Sequence, residues 1–140
     1  MSSRISATAL TNGHGSLYGK RVFMVEDDDR LYCALKDTLH DAGCETFGLF
    51  TVVSETLNAV PESHIDVALI DVSRHDLRCV AFVRQLHRRG VPVLLIAPRR
   101  SEDLPSPLRS CTRLAKPFTE QDLLDGIAEV LRCEDVEVLR

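Results

Sequence analysis

The chain has 140 residues, 44% of them hydrophobic and 27% charged, with a formal net charge of −4. That is enough for one domain with a sizeable core and too little for two, and the acidic balance argues against nucleic acid as a direct partner. No apolar run reaches the roughly 18 residues of a membrane span, and the start MSSRISATALTNGHGSLYGK lacks the apolar centre of a secretory signal, so a cytoplasmic protein with no membrane partner is expected.

Residues 1–19, rich in Ser, Thr, Gly and Asn, read as a flexible leader, residues 20–132 as the domain and residues 133–140 as a short tail. Arg21 to Val25 is a short apolar run of strand type, followed at once by four acids, Glu26 to Asp29. From Arg30 to Ala42 the apolar residues Leu31, Ala34, Leu35 and Leu39 recur at helical spacing, and Gly43 is a stop signal. CETFGLF reads as a second strand, and SETLNAV as a short helix started by Ser54. IDVALID, Ile65 to Asp71, is a buried strand, Leu77 to Arg89 a helix closed by Gly90, and VPVLLIA a fourth strand. TRLA supplies a fifth strand. The last helix opens at Thr119, with Asp122 three residues on to complete a capping box, and runs to about Leu131. The five cysteines (Cys33, Cys44, Cys79, Cys111 and Cys133) form no CxxC pair and read as small buried hydrophobes in a reducing compartment.

Strand and helix alternate throughout, and the strands are apolar along their whole length. Both faces of the sheet are therefore covered, which predicts a doubly wound five-stranded parallel α/β sheet flanked by helices. In such sheets chemistry gathers beyond the carboxyl ends of the strands, at a topological switch point. Glu26 and Asp27 stand there after strand one, Asp71 ends strand three, and Lys116 follows strand five. Carboxylates crowded together are stable when a hard cation sits among them, and Mg²⁺ takes carboxylates, a carbonyl, water and phosphate oxygens. A lysine opposite supplies the counter-charge for a phosphoryl group, and an aspartate so placed can attack phosphorus.

The acids of VEDD, Asp71 in ALIDVS and Lys116-Pro117-Phe118 in LAKPF together resemble the response-regulator receiver domain of bacterial two-component signalling. Asp71 lies 44 positions after Asp27, and the match covers about Lys20 to Leu131. The resemblance implies the flavodoxin-like receiver fold. It implies that Glu26, Asp27, Asp71 and the Ser73 carbonyl hold Mg²⁺, that Asp71 is the phosphoacceptor, and that Lys116 pairs with the phosphoryl oxygens. The Lys116-Pro117 bond would be cis, turning Lys116 inward. Upstream partners would be a histidine kinase or phosphotransfer protein. Downstream there would be an output protein that the sequence does not identify, since the chain after Thr119 offers one helix and a tail and no output domain. A homodimer and a monomer are both compatible with the sequence.

The departures fall in the switch. Where the resemblance implies a Thr or Ser at the end of strand four there is Ala97, and Pro98, next to it, has no N–H to donate. The aromatic of strand five is Arg113, whose cationic head is expected to point outward to water and join a docking face. The stretch from Ala97 to Lys116 is short and holds Pro105 and Pro107, so the fourth helix should be short or irregular. Three readings follow. One is a stand-alone receiver that takes a phosphoryl group on Asp71 and signals by docking, with at most self-phosphorylation and self-dephosphorylation chemistry. The second is a pseudo-receiver binding module in which phosphorylation is weak or uncoupled. The third is a small metal-dependent phosphatase, which wants Asp-x-Asp after strand one; Glu26 and Asp28 have the spacing, but the nucleophile position is a glutamate.

Overall fold

The computed structural model describes residues 17–26, 28–49, 63–72, 77–97 and 104–138. Asp27, Ser73, Pro98 and the expected helix from Ser54 lie outside the described residues.

Strand β1 (Arg21–Val25) leads into helix α1 (Asp29–Asp41), then β2 (Glu45–Leu49), β3 (Val67–Asp71), α2 (Leu77–Arg88), β4 (Val93–Ala97), β5 (Thr112–Ala115) and α3 (Glu120–Val138). The strands form one sheet in the order β2-β1-β3-β4-β5, and every pairing is parallel. Parallel neighbours need a crossover between them, which α1 supplies between β1 and β2 and α2 between β3 and β4. Between β4 and β5 the described residues hold only a single 3₁₀ turn, Ser106–Leu108, which fits the two prolines there.

Alternation along the strands sorts the core into two layers. Val22 and Met24, Val67 and Leu69, Leu94 and Ile96 pack with Leu35 and Leu39 of α1 and Leu123 and Ile127 of α3. Phe23 and Val25, Ala68 and Ile70, Leu95 and Ala97 pack on the other face with Phe82, Val83 and Leu86 of α2 and with Leu104 and Leu108 beside the turn. Each strand of the centre is thus buried on both sides, as its unbroken apolar run required.

The helix ends obey the local signals. Asp28 caps α1, its Oδ1 accepting from Leu31 N at 3.0 Å, with Asp29 in the first turn. At the start of α3, Thr119 N donates to Asp122 Oδ2 and Asp122 N to Thr119 Oγ1, both at 3.0 Å, which closes the capping box. Gly43 sits at φ 91° and is approached by the Tyr18 side chain, so the turn into β2 has both a backbone and a packing need for glycine.

Three expectations are corrected. Leu17, within the expected flexible leader, is fully buried, and its carbonyl accepts from Cys44 Sγ at 3.4 Å. Helix α3 continues to Val138, because nothing after Leu131 breaks it: Cys133 to Val138 contains neither glycine nor proline. Cys33 and Cys133 are exposed on helices, while Cys44 and Cys79 are buried and Cys111 is half-buried. Burial and then the nearby Asp66 charge push the Cys44 thiol up to about 11, which keeps it an inert thiol.

Candidate functional site at the carboxyl end of the sheet

The sheet order reverses between β1 and β3: β1 continues to β2 on one side, and β3 to β4 on the other. Val25 pairs with Ile70, so Glu26 and Asp71, the next residue of each strand, meet at the same height over that switch point. β5 lies two strands away, and Lys116 follows its last residue, with Lys116 N held to Ala97 O at 3.4 Å. Its side chain spans the gap: Lys116 Nζ is 2.9 Å from Asp71 Oδ2. The Lys116-Pro117 bond is cis. The Asp71 side chain is 3% exposed and that of Lys116 39%, so a buried carboxylate faces a half-open lysine.

Glu26 is the buried charge of the site, at 2% exposure. Its Oε2 accepts from Asp28 N at 2.9 Å, while Oε1 is buried without a hydrogen-bond partner among the described residues. Burial first, and then the hydrogen bond and charge of Asp71, raise Glu26 from an ordinary 4.5 to about 8. The Asp28 N–H and the Lys116 charge work the other way and are outweighed. Without a cation Glu26 therefore keeps its proton near neutral pH, as one of two carboxyl groups crowded in a low dielectric does.

The chemistry of this set fits a hard divalent ion. Glu26 Oε1, buried and without a hydrogen-bond partner among the described residues, stands with a second carboxylate nearby, and oxygen donors of this kind suit such an ion. Among the described residues no group of three or more His, Cys, Asp and Glu side chains is gathered for a metal, so two carboxylates are what this part of the chain contributes. Asp27 and Ser73, the other expected ligands, lie outside the described residues.

The switch positions differ in outcome. Ala97 is fully buried at the end of β4 and presents a methyl group where a hydroxyl was the expectation from the resemblance. Arg113 corrects its expectation: it is half-buried, and its Nη1 is buried with no hydrogen-bond partner among the described residues. The Nη1 end of the guanidinium is thus turned away from water, on a strand residue that pairs with the buried Leu95.

One feature went unread in the sequence. A groove of about 600 Å³ runs between α1 and the loop entering α3, lined by Leu31, Ala34, Leu35, Pro117, Phe118 and Leu123, with Lys116 also on its wall. The helical periodicity of Leu31, Ala34 and Leu35 marked them as one face. It could not tell which of them the neighbouring loop leaves uncovered.

No model of a protein family matches the sequence, and no curated protein matches it. Among solved structures, the chain is similar to a CheY-like response regulator receiver domain protein from Methanospirillum hungatei, at 24% identity, a TM-score of 0.69, and coverage of 85% of this chain and 98% of that one. It is similar to the chemotaxis protein CheY4 of Vibrio cholerae, at 24% identity and a TM-score of 0.64, over 81% of this chain and 99% of that one. The response regulator PhyR from Brucella abortus gives 20% identity and a TM-score of 0.71 over 94% of this chain and 56% of that one. With its 2-1-3-4-5 parallel sheet and its covering helices, the chain has the flavodoxin-like fold of a response-regulator receiver domain.

Proposed function

We propose that the chain is a receiver that accepts a phosphoryl group on Asp71 in a two-component phosphorelay and signals by docking to other proteins. The single observation that carries this reading is the Lys116 Nζ to Asp71 Oδ2 contact of 2.9 Å beside the raised, orphaned carboxyl of Glu26. The fold alone does not require it, and a structural ion pair would not need a second buried carboxyl.

In the proposed reaction a carboxylate oxygen of Asp71 attacks the phosphorus of a phosphohistidine or of a small acyl phosphate. The new O–P bond forms as the P–N or P–O bond to the donor breaks, and the electron pair leaves with the imidazole or carboxylate. Lys116 keeps Asp71 ionised before attack and afterwards pairs with a phosphoryl oxygen. Mg²⁺, when bound, neutralises the phosphoryl oxygens and orients them for in-line transfer. Glu26 and Asp71 would hold it, with Asp27 and the Ser73 carbonyl as the remaining protein ligands. To serve as a ligand Glu26 would release its proton to solvent.

The chain acts as an acceptor and signalling module, not as an enzyme with a turnover substrate. The partners implied are a histidine kinase or phosphotransfer protein and a separate output protein. No helix among the described residues is long and apolar enough to cross a membrane. The groove beside Lys116 suits the helix of a phosphodonor, whose apolar face it would bury next to the acceptor.

A second reading has one observation in its favour. Ala97 removes the hydroxyl that would tie the phosphoryl group to the loop after β4, which suits a pseudo-receiver whose phosphorylation is uncoupled from conformation. Intact-mass measurement after incubation with Mg²⁺ and acetyl phosphate tests the main reading. It predicts one added phosphoryl group on the wild type, none on Asp71→Asn, and none with Mg²⁺ chelated. An unmodified wild type would leave the pseudo-receiver.

A further inference from the structure

Among the described residues near the switch, Arg113 has a placement unexplained by the reading above. A guanidinium nitrogen buried without an acceptor loses its hydration and gains nothing in exchange, and native proteins keep such a group where something else completes it.

The strand register indicates what can reach it. Arg113 pairs with Leu95, and two residues further toward the carboxyl end Ala115 pairs with Ala97. Alternation puts Ala115 and Ala97 on the same face of the sheet as Arg113. Neither carries more than a methyl group. Along these two strands, then, no longer side chain stands on that face between Arg113 and the end of the sheet. Two residues of strand span about 6.6 Å, a distance that an extended arginine stem covers. Asp71 lies on the next strand at nearly the height of Ala97, but it pairs with Ile96 on the opposite face, so a guanidinium from Arg113 would meet its phosphoryl group only above the strand ends.

We propose that Arg113 is the phosphoryl-binding residue of the switch. When Asp71 carries phosphate, the Arg113 guanidinium passes over Ala97 and Ala115 and donates to a phosphoryl oxygen, in place of the hydroxyl that Ala97 lacks. Phosphorylation replaces the single charge of the Asp71 carboxylate with a phosphoryl group carrying close to two, and Lys116 is one cation. A guanidinium matches phosphate in charge and in its planar pair of donors, and its orphaned Nη1 gains the acceptor it is missing. The small residues at 97 and 115 are then part of the same design as the arginine. This inference rests on Asp71 being the phosphoacceptor.

The test uses the full chain labelled with ¹⁵N-arginine, Mg²⁺, and beryllium fluoride as the stable stand-in for the phosphoryl group. Addition should shift the Arg113 guanidinium N–H signals, assigned by their loss in Arg113→Lys, and slow their exchange with water. Arg113→Met should weaken beryllium fluoride binding roughly ten- to a hundredfold, the size of a hydrogen bond between charged groups. Saturable backbone shifts around Asp71 with unmoved Arg113 signals would overturn the proposal and leave the phosphoacceptor reading standing. A wild type that takes up neither beryllium fluoride nor a phosphoryl group from acetyl phosphate would overturn both. If Arg113→Met does not fold, the wild-type guanidinium signals decide alone.

Discussion

At the amino end of the sheet, charges and donors are matched. Asp66 accepts from Arg21 N at 2.8 Å and pairs with His64 Nε2 at 2.7 Å. Arg21 donates to the His64 carbonyl and to Glu45 Oε1, both at 2.8 Å, and its guanidinium lies 4.7 Å from the centre of the Phe47 ring. Burial pushes the Asp66 carboxyl up, but the Arg21 N–H and His64 outweigh it and hold it below its ordinary 3.8. Toward the carboxyl end the sheet carries Glu26 with its proton held up to about 8, a buried Asp71 and, lower on β5, an Arg113 nitrogen without an acceptor among the described residues. One end has its charges paired, whereas the other leaves a buried carboxyl oxygen and a guanidinium nitrogen without partners among the described residues. Strain of this kind is what a binding site carries before its ligand arrives.

Neutralising the carboxyl end should have the largest effect. Glu26 binds its proton more tightly folded than unfolded, so between pH 4.5 and 8 the folded state holds more protons and stability falls as pH rises. Glu26→Gln removes that loss while keeping the shape and a donor toward Asp71. At pH 8 without Mg²⁺ it should stabilise the fold by on the order of a few kcal/mol, and by little near pH 4.5. Urea titrations at the two pH values check this, and millimolar Mg²⁺ should narrow the gap by stabilising the wild type alone.

Breaking the amino end should do the opposite. Asp66→Ala strands Arg21 N and should cost about 2 kcal/mol at pH 7, measured by the same titrations. The sign with pH also reverses. Asp66 is depressed, so its contribution is present above the ordinary carboxylate value and fades as pH drops through it.

A smaller effect is expected where the site is built on a helix start. Thr119→Ala opens the capping box below Lys116 and Pro117 and should cost about 1 kcal/mol of stability in thermal melts. Glu45→Gln, at the exposed outer edge of the Arg21 network, should change stability by less than about 0.5 kcal/mol, because the Glu45 side chain is 64% exposed.

Much of this contrast was legible in the residues. Asp28 and the Thr119–Asp122 pair act locally, within one turn, so the sequence alone locates them. The meeting of Glu26, Asp71 and Lys116 follows from strand ends and parallel topology, which the unbroken apolar runs imply. Arg113 was not legible because its stem is apolar and its head charged, and only tertiary packing decides which of the two prevails. Leu17 was missed for a related reason. One leucine among Ser, Gly and Tyr has no periodicity to show that the β1 and α1 core closes over it. The continuation of α3 to Val138 has no signal at all beyond the absence of a stop.

The account turns on the carboxyl end being unsatisfied until a cation and a phosphoryl group arrive. The most direct test follows the side-chain carboxyl carbon of Glu26 by NMR across pH, with and without Mg²⁺. The predicted midpoint is near pH 8 without the ion and moves to lower pH with it. A midpoint near 4.5 that Mg²⁺ leaves unchanged would contradict the account.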